Sequence, residues 1–511
     1  MLALALGLAS ATGFAPLGLW PVTLIACALV MLLIRDAPSG RVAFGRGWAF
    51  GVGYFAMGLN WIAHAFDFQN AMPHWFGYGA VVALSLYLAV YPAAAGWLAW
   101  RVSHADKRGG IGTFGVAFAA AWLTTEYLRA TLFTGFAWNP LGVVWVDTPI
   151  AALSAWVGTY GLSGLTLLFV GLAMSLAIHL WHEVRSKPLT PLRVGALIAF
   201  FVLPEVIVIG LIPYLLSATP PAVRELGPLV RIVQPNLSLA QQRSAEAVDE
   251  NVATLERLSG QPTSAPRLIL WPEGAVPYYL AEEDWARRRL ARLLGPRDIL
   301  MTGGSTLLYD KAGRLTAARN SVFTLDARGD IVTRYDKSHL VPYGEYLPAR
   351  PILSAIGLDR LVDSDVDFIP GDGSLTTAVP GFGAVGVQIC YEIIFSGQVV
   401  DRRVRPAFIF NPSIDAWFGA WGPPQHLAQA RMRAVEEGLP VLRATPTGIS
   451  AVIDADGRLL AALPMNKPGF IATRLPGAKP PTLFARFGNS SPLALAMLLA
   501  LAAVAARRRQ R

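Results

Sequence analysis

Charge is scarce in this chain. Only 15% of its 511 residues are Asp, Glu, Lys or Arg, against about 25% in an ordinary soluble domain, while 54% are hydrophobic. Cysteine is scarcer still: Cys27 and Cys390 are the two, too few for a disulfide scaffold. The seven histidines are scattered without the spacing of metal ligands, so no metal centre is expected. No glycine-rich turn joins a strand to a helix in the manner of a nucleotide cradle, and no cofactor is expected. Internal repeats are absent, and the one biased stretch is "KPGF…PGAKPPT" near 467–481. The net charge of +9 is compatible with nucleic acid. Its basic residues, however, sit mostly beside apolar runs, where they set topology, and no nucleic-acid partner is expected.

What the chain has in abundance is apolar runs. They cover roughly 2–14, 17–34, 45–63, 76–100, 111–130, 151–181, 193–217 and 491–506. A membrane span needs about 20 residues, so 2–14 is the shortest candidate, and a cleaved signal peptide is the alternative there. The loop charges test the count. Arg35, Arg41 and Arg46 lie in one loop, Arg101, Lys107 and Arg108 in another, and Arg185, Lys187 and Arg193 in a third; the tail ends "ARRRQR". The alternate loops carry almost no such charge. Lys and Arg concentrate on the cytoplasmic side, so about eight spans with both termini inside are expected. That places 218–490 outside the cytoplasm, between a membrane domain at 1–217 and a last span with a basic tail at 491–511.

From about residue 228 the pattern changes. "LVRIVQPN", "RLILWPE", "DILMTGGS", "NSVFTLD", "DIVTRYDK", "GAVGVQIC", "PAFIFNPS", "PVLRATPTG" and "SAVIDADG" read as strands. Helical periodicity at 238–258, 281–294 and 424–437 separates them. Strands interleaved with helices over some 250 residues predict one α/β domain with a buried sheet.

Three of these strands end in reactive side chains, the place where α/β sheets collect their sites: Glu273 in "LILWPE", Lys337 in "VTRYDK" and Cys390 in "VGVQIC". A free cysteine is more often a small buried hydrophobe, a lone Lys a surface residue, and a Glu between Pro and Gly a solvated loop carboxylate. Cys390 is less easily dismissed. Its one possible partner, Cys27, falls in a membrane run, and a lone thiol outside the cytoplasm needs a use. A carboxylate walled by Trp271 and Pro272 would have a raised pKa, as a general base needs. Lys337 near a forming oxyanion would stabilise its charge. His339 is an alternative base for Cys390, or a structural hydrogen-bonder. The ionisable residues inside the runs are few, chiefly Glu126, Arg129 and Glu205, too few for a transport pathway.

"WPE", "YDKSHLVPYGEYLP" and "ICYEI", in that order, resemble the Glu–Lys–Cys triad of the nitrilase (carbon–nitrogen hydrolase) superfamily. With the apolar runs, and with "FAPLGLWP", "TEYLRATLFTGFAWNPLG", "GTYGLSGL", "DAWFG" and "QHLAQARMRAVEEGLPVLRATPTGISAVI", the chain resembles within it the apolipoprotein N-acyltransferase family. The resemblance implies a nitrilase-like αββα sandwich on a polytopic helical membrane domain, in the bacterial inner membrane with the catalytic domain in the periplasm. It implies that a phospholipid donates a fatty acyl chain to Cys390 as a thioester, and that the N-terminal amine of a diacylglyceryl apolipoprotein accepts it. Glu273 would be the base, and Lys337 with the N–H after Cys390 would hold the oxyanion. Glu345 and Tyr343 would support Lys337 and Glu273, Tyr391 and Glu392 would shape the pocket, and Trp417 and Phe418 would form an apolar arm near the bilayer. "NPSIDAWF" departs from the family pattern in being less polar before the Asp. The same triad would also serve a membrane-tethered amidase or nitrilase acting on small amides. A transporter or a nonenzymatic scaffold is the reading outside enzymes. The acylation reading requires that the three groups converge and that the thiol not be sealed.

Overall fold

The computed structural model describes residues 1–68, 73–104, 110–186, 190, 195, 227–355, 367–373 and 375–509. The chain divides into two compact units: one of residues 1–60, 78–221 and 486–511, the other of residues 61–77 and 222–485.

The first unit is helical: α1 (Leu2–Ala11), α2 (Trp20–Arg35), α3 (Gly40–Gly58), α4 (Phe76–Leu88), α5 (Val90–His104), α6 (Ile111–Thr131) and α7 (Ser154–Ser186), with α11 (Ser490–Arg509) at the far end of the chain. Small residues let these helices approach closely, the usual device where lipid removes the hydrophobic drive between them. A Cβ on Gly7 of α1 would strike the Phe50 carbonyl of α3. Among the described residues, Phe76–Ser103, Pro149–His182 and Ser490–Arg508 are long and apolar enough to cross a membrane, while Leu2–Ala11 and Trp20–Arg35 are shorter apolar helices. Of the eight expected spans, three thus meet the length and composition of a crossing helix among the described residues. The run 193–217, and with it Glu205, lies outside the described residues, residue 195 apart. Glu126 and Arg129 are tied locally: Glu126 accepts from the Leu141 N–H at 2.9 Å, and Arg129 donates to the Trp138 carbonyl at 2.8 Å.

Among the described residues, the second unit holds two six-stranded mixed sheets. The first runs β12 (Gly469–Arg474), β1 (Leu229–Gln234), β2 (Arg267–Leu270), β3 (Ile299–Tyr309), β4 (Leu315–Leu325), β5 (Ile331–Asp336); the second runs β11 (Leu459–Leu463), β10 (Ser450–Ile453), β9 (Val441–Ala444), β8 (Phe408–Pro412), β7 (Gly383–Val387), β6 (Thr376–Val379). The central trios β1–β2–β3 and β7–β8–β9 are parallel, and antiparallel strands flank both.

Period-two alternation decides which residues face which layer. Leu268 and Leu270 of β2 join Ile232, Met301 and Tyr335 against Val385, Val387, Phe408, Phe410 and Leu442 of the second sheet, forming the core between the sheets. Their neighbours Ile269 and Trp271 turn outward, onto Val252 and Leu255 of α8 (Val248–Ser259) and Ala286 and Leu290 of α9 (Asp284–Ala291). Behind β9 lies α10 (Gly422–Glu437), opened by Pro423 in its first turn, where Pro is favoured. The layers are helix, sheet, sheet, helix.

Candidate active site

β5 pairs antiparallel with β4 and β4 with β3, so β5 runs in the direction of β2 and β3. Glu273 and Lys337 therefore leave the first sheet at the same edge. Glu273 follows β2 in a turn pressed against β3: the Gly303 N–H donates to the Pro272 carbonyl at 3.1 Å. A Cβ on Gly303 would lie 2.6 Å from Glu273 Cα and 2.6 Å from the Gly274 nitrogen, so a side chain at this strand position would displace the turn. Lys337 is fixed through its backbone, donating to the Asn320 carbonyl at 2.8 Å and accepting from the Gly371 N–H at 2.8 Å.

The side chains meet in a buried cluster. Lys337 Nζ lies 3.0 Å from Glu345 and 3.6 Å from Glu273 Oε1. Asn320 Nδ2 donates to Glu273 Oε1 at 2.8 Å and to Glu345 Oε1 at 3.0 Å, while the Ile414 N–H donates to Glu273 Oε2 at 2.8 Å. The Val341 N–H holds the second oxygen of Glu345 at 2.8 Å. Burial works against the charge on Lys337, but Glu345 and Glu273 outweigh it and hold the ammonium well above its ordinary value. It is a permanent cation.

Cys390 opens the turn Cys390–Ile394 just past β7, with φ at +52°. Few residues other than glycine enter this region, and Glu273 and Lys337 both act on the thiol electrostatically. Burial, then the Glu273 carboxylate, push the thiol well above its usual pKa, against the pull of Lys337. Cys390 remains 5% exposed, Glu273 6% and Lys337 1%. The thiol is therefore deeply placed. Cys27 is a free, buried cysteine of the other unit.

Glu392 ties the nucleophile turn to the lysine loop. Its Oε1 accepts from the Tyr335 hydroxyl at 2.8 Å, the Ser338 N–H at 2.7 Å and the His339 N–H at 3.1 Å, and its Oε2 from the Ile389 N–H at 2.7 Å. This carboxylate is a strut between the end of β5 and the turn after β7. The His339 ring stacks on Phe395 with centroids 3.8 Å apart, and Tyr391 meets both rings edge-on. Tyr343 stands 44% exposed at φ +65° in the loop that carries Glu345. Trp417 packs edge-on against Phe68, and Phe418 against Trp61. The indole of Trp271 does not wall Glu273: it faces α8 and donates to Ser259 Oγ at 2.8 Å.

Two groups of site residues escape a reading of the sequence. Asn320, which bridges both carboxylates, sits in an ordinary-looking strand, "NSVFTLD". Beneath Cys390 lies a buried network of Asp415, His426 and Arg443. Arg443 Nη2 donates to both Asp415 oxygens at 2.6 and 2.7 Å, and Ser413 Oγ donates to Asp415 Oδ1 at 2.9 Å. Burial opposes the Asp415 charge, but Arg443 prevails and holds the carboxyl far below its ordinary value. Asp415 lies in "DAWFG", and His426 and Arg443 lie in "QHLAQARMRAVEEGLPVLRATPTGISAVI", stretches that carry the family resemblance, but nothing in the sequence joins the three into one network.

Residues 6–172 match the family model of the apolipoprotein N-acyltransferase N-terminal domain, and residues 229–477 that of carbon–nitrogen hydrolase. The two-sheet unit accordingly carries a nitrilase-like α/β fold. Along its whole length the chain is similar to an apolipoprotein N-acyltransferase of Rhodopseudomonas palustris, 34% identical over 528 residues spanning 100% of this chain and 95% of that protein. One from Bradyrhizobium diazoefficiens is 34% identical with the same coverage. One from Caulobacter vibrioides is 35% identical over 97% of this chain and 92% of that protein.

Proposed function

The chain belongs to the apolipoprotein N-acyltransferase family, and from that premise we propose that it moves a fatty acyl chain from a phospholipid, through a thioester on Cys390, to the N-terminal amine of a diacylglyceryl-cysteine apolipoprotein. The observation that carries the reading is the buried Glu273–Lys337 pair, 3.6 Å apart, set against a thiol on a left-handed corner.

In the first half-reaction Cys390 Sγ attacks the ester carbonyl while Glu273 takes the thiol proton. Lys337 and the N–H that follows Cys390 hold the oxyanion. Collapse expels the glycerol oxygen, Glu273 returns the proton to it, and lysophospholipid leaves. In the second, the acceptor amine attacks the thioester, Glu273 takes a proton from the nitrogen, and the thiolate leaves and is reprotonated. Covalent capture splits one hard transfer into two easier ones. A thiol held protonated at rest by burial requires a base at the moment of attack. Glu345 steadies Lys337, Glu392 fixes the distance between the lysine loop and the nucleophile turn, and Tyr391 fills the space beside it. Trp417 and Phe418, an apolar pair, meet the acyl chain.

The chain is a membrane protein by family and by its apolar helices. We take residues 1–217 and 491–511 as an eight-span anchor in the bacterial inner membrane, and 218–490 as a periplasmic catalytic domain, a topology supported by the basic alternate loops. Membrane residence suits substrates whose chains cost about 0.8 kcal/mol per CH₂ to bring into water.

The test is a reconstituted assay with phospholipid vesicles, a synthetic diacylglyceryl-cysteinyl peptide and, separately, small amides. The reading expects lysophospholipid and N-acylated peptide in equal amounts. Ammonia from the small amides with no lysophospholipid would establish the tethered amidase instead.

A further inference from the structure

His426 lies in the first turns of α10 with its side chain wholly buried, and it joins the Asp415–Arg443 network to the nucleophile. Its Nε2 stands 3.1 Å from the carbonyl oxygen of Cys390, and its Nδ1 stands 3.0 Å from both Asp415 Oδ1 and Arg443 Nη2. A carbonyl oxygen carries no proton, so the hydrogen bond to Cys390 requires the proton on Nε2. In the neutral ring Nδ1 then accepts one hydrogen of Arg443 Nη2 while the two Asp415 oxygens share the other; in the protonated ring it donates to Asp415. Nε2–H points at the Cys390 carbonyl in both states. Burial, with Arg443 beside it, favours the neutral ring.

A trans peptide is planar, and its C=O and N–H point in opposite directions. Whatever anchors the Cys390 carbonyl therefore aims the Tyr391 N–H of the same peptide. A donor at the oxygen also polarises the peptide and strengthens the N–H as a donor in turn. We propose that His426 is a positioning residue for the oxyanion: by binding the Cys390 carbonyl, it turns the Cys390–Tyr391 peptide so that the Tyr391 N–H meets the negative oxygen of the tetrahedral intermediate. The left-handed φ of Cys390 (+52°) gives this anchor its purpose. A corner that L-residues disfavour relaxes unless its surroundings hold it, and the His426 bond acts on that same residue. Asp415 and Arg443 in turn hold the imidazole, and because Asp415 opens the turn Asp415–Phe418, the oxyanion support and the apolar arm share one buried anchor.

This inference rests on the thioester reading, and its test separates the two. Full-length protein in detergent is mixed with phospholipid, and acyl adduct on Cys390 is followed by intact mass at single turnover. Alkylation of Cys390 by iodoacetamide, a reaction that forms no oxyanion, is measured in parallel. For His426→Phe, acylation is expected to slow by about tenfold to 10²-fold, below or at the 10²–10³ typical of deleting a donor outright. Alkylation is expected to stay within about threefold. His426→Gln, whose amide N–H can reach the same carbonyl, is expected to recover most of the acylation rate. If acylation and alkylation fall together in both variants, the residue merely packs the turn, and the proposal is overturned. It is equally overturned if acylation is unchanged in the Phe variant. No adduct on the unmutated chain would overturn the thioester reading itself.

Discussion

At the scale of single residues, the site joins a reluctant thiol to a permanent cation. Because burial and Glu273 push the Cys390 thiol upward, the folded protein holds it protonated well beyond neutral pH. Its alkylation by iodoacetamide should therefore rise continuously from pH 6 through pH 9; a rate flat across that range would mean a preformed thiolate. Glu273→Gln removes the base and is expected to lower acyl transfer by about 10²–10⁴-fold. Lys337→Met removes an oxyanion partner, for a loss of about 10²–10³-fold. Both are read as initial rates of lysophospholipid release, and a loss under tenfold in either would remove that residue from the proposed chemistry. Glu273, Lys337 and Cys390 were visible in the sequence because each ends an apolar strand. Asn320 and His426 were not, because what matters in them is which distant group they face. Trp271 shows the opposite failure: adjacency to Glu273 in sequence suggested a wall, but strand alternation sends the indole to the other face.

Secondary-structure elements carry two further expectations. β3 approaches the Glu273 turn so closely at Gly303 that Gly303→Ala must displace the turn backbone. Overpacking of this kind costs about 1–3 kcal/mol. The variant should lose more than tenfold in acyl transfer while remaining folded, as judged by a cooperative melt; full activity would show that the turn moves freely. On α10, burial and then the neighbouring Glu436 push the Glu437 carboxyl up to about 7, against Arg405. Its folded value lies above its unfolded one, so between roughly pH 4 and 7 the unfolded chain releases a proton that the folded chain keeps. The folded state is penalised progressively across that window, by about 3 kcal/mol once both forms are ionised. The melting temperature in detergent should fall as pH rises from 5 to 7.5, and Glu437→Gln should flatten that slope. An unaltered slope in the variant would place the titration elsewhere. The strands and long helices were legible from period and apolar length. The pairing of the strands into two sheets was not, since strand order depends on contacts between segments far apart in sequence, such as β1 with β12, where Leu229 pairs with Arg474.

For the whole molecule, the apolar runs marked the membrane part, but hydropathy and length alone support three crossing segments among the described residues. The remaining helices are short or rich in small residues, which gain their place by packing on neighbours. The proposed topology puts both termini in the cytoplasm, so alkaline phosphatase fused after Arg511 should be inactive and a fluorescent protein fused there bright; the reverse would invert the chain and place Cys390 on the wrong side. Beneath every scale lies the claim that the sulfur of Cys390 carries the fatty chain. Intact mass spectrometry of the full-length protein after incubation with a phospholipid of defined chains tests it most directly. The account predicts a gain of one acyl group, lost on hydroxylamine treatment, mapped to Cys390 and missing in Cys390→Ala; lysophospholipid release with no such adduct, or an adduct that persists in Cys390→Ala, would contradict it.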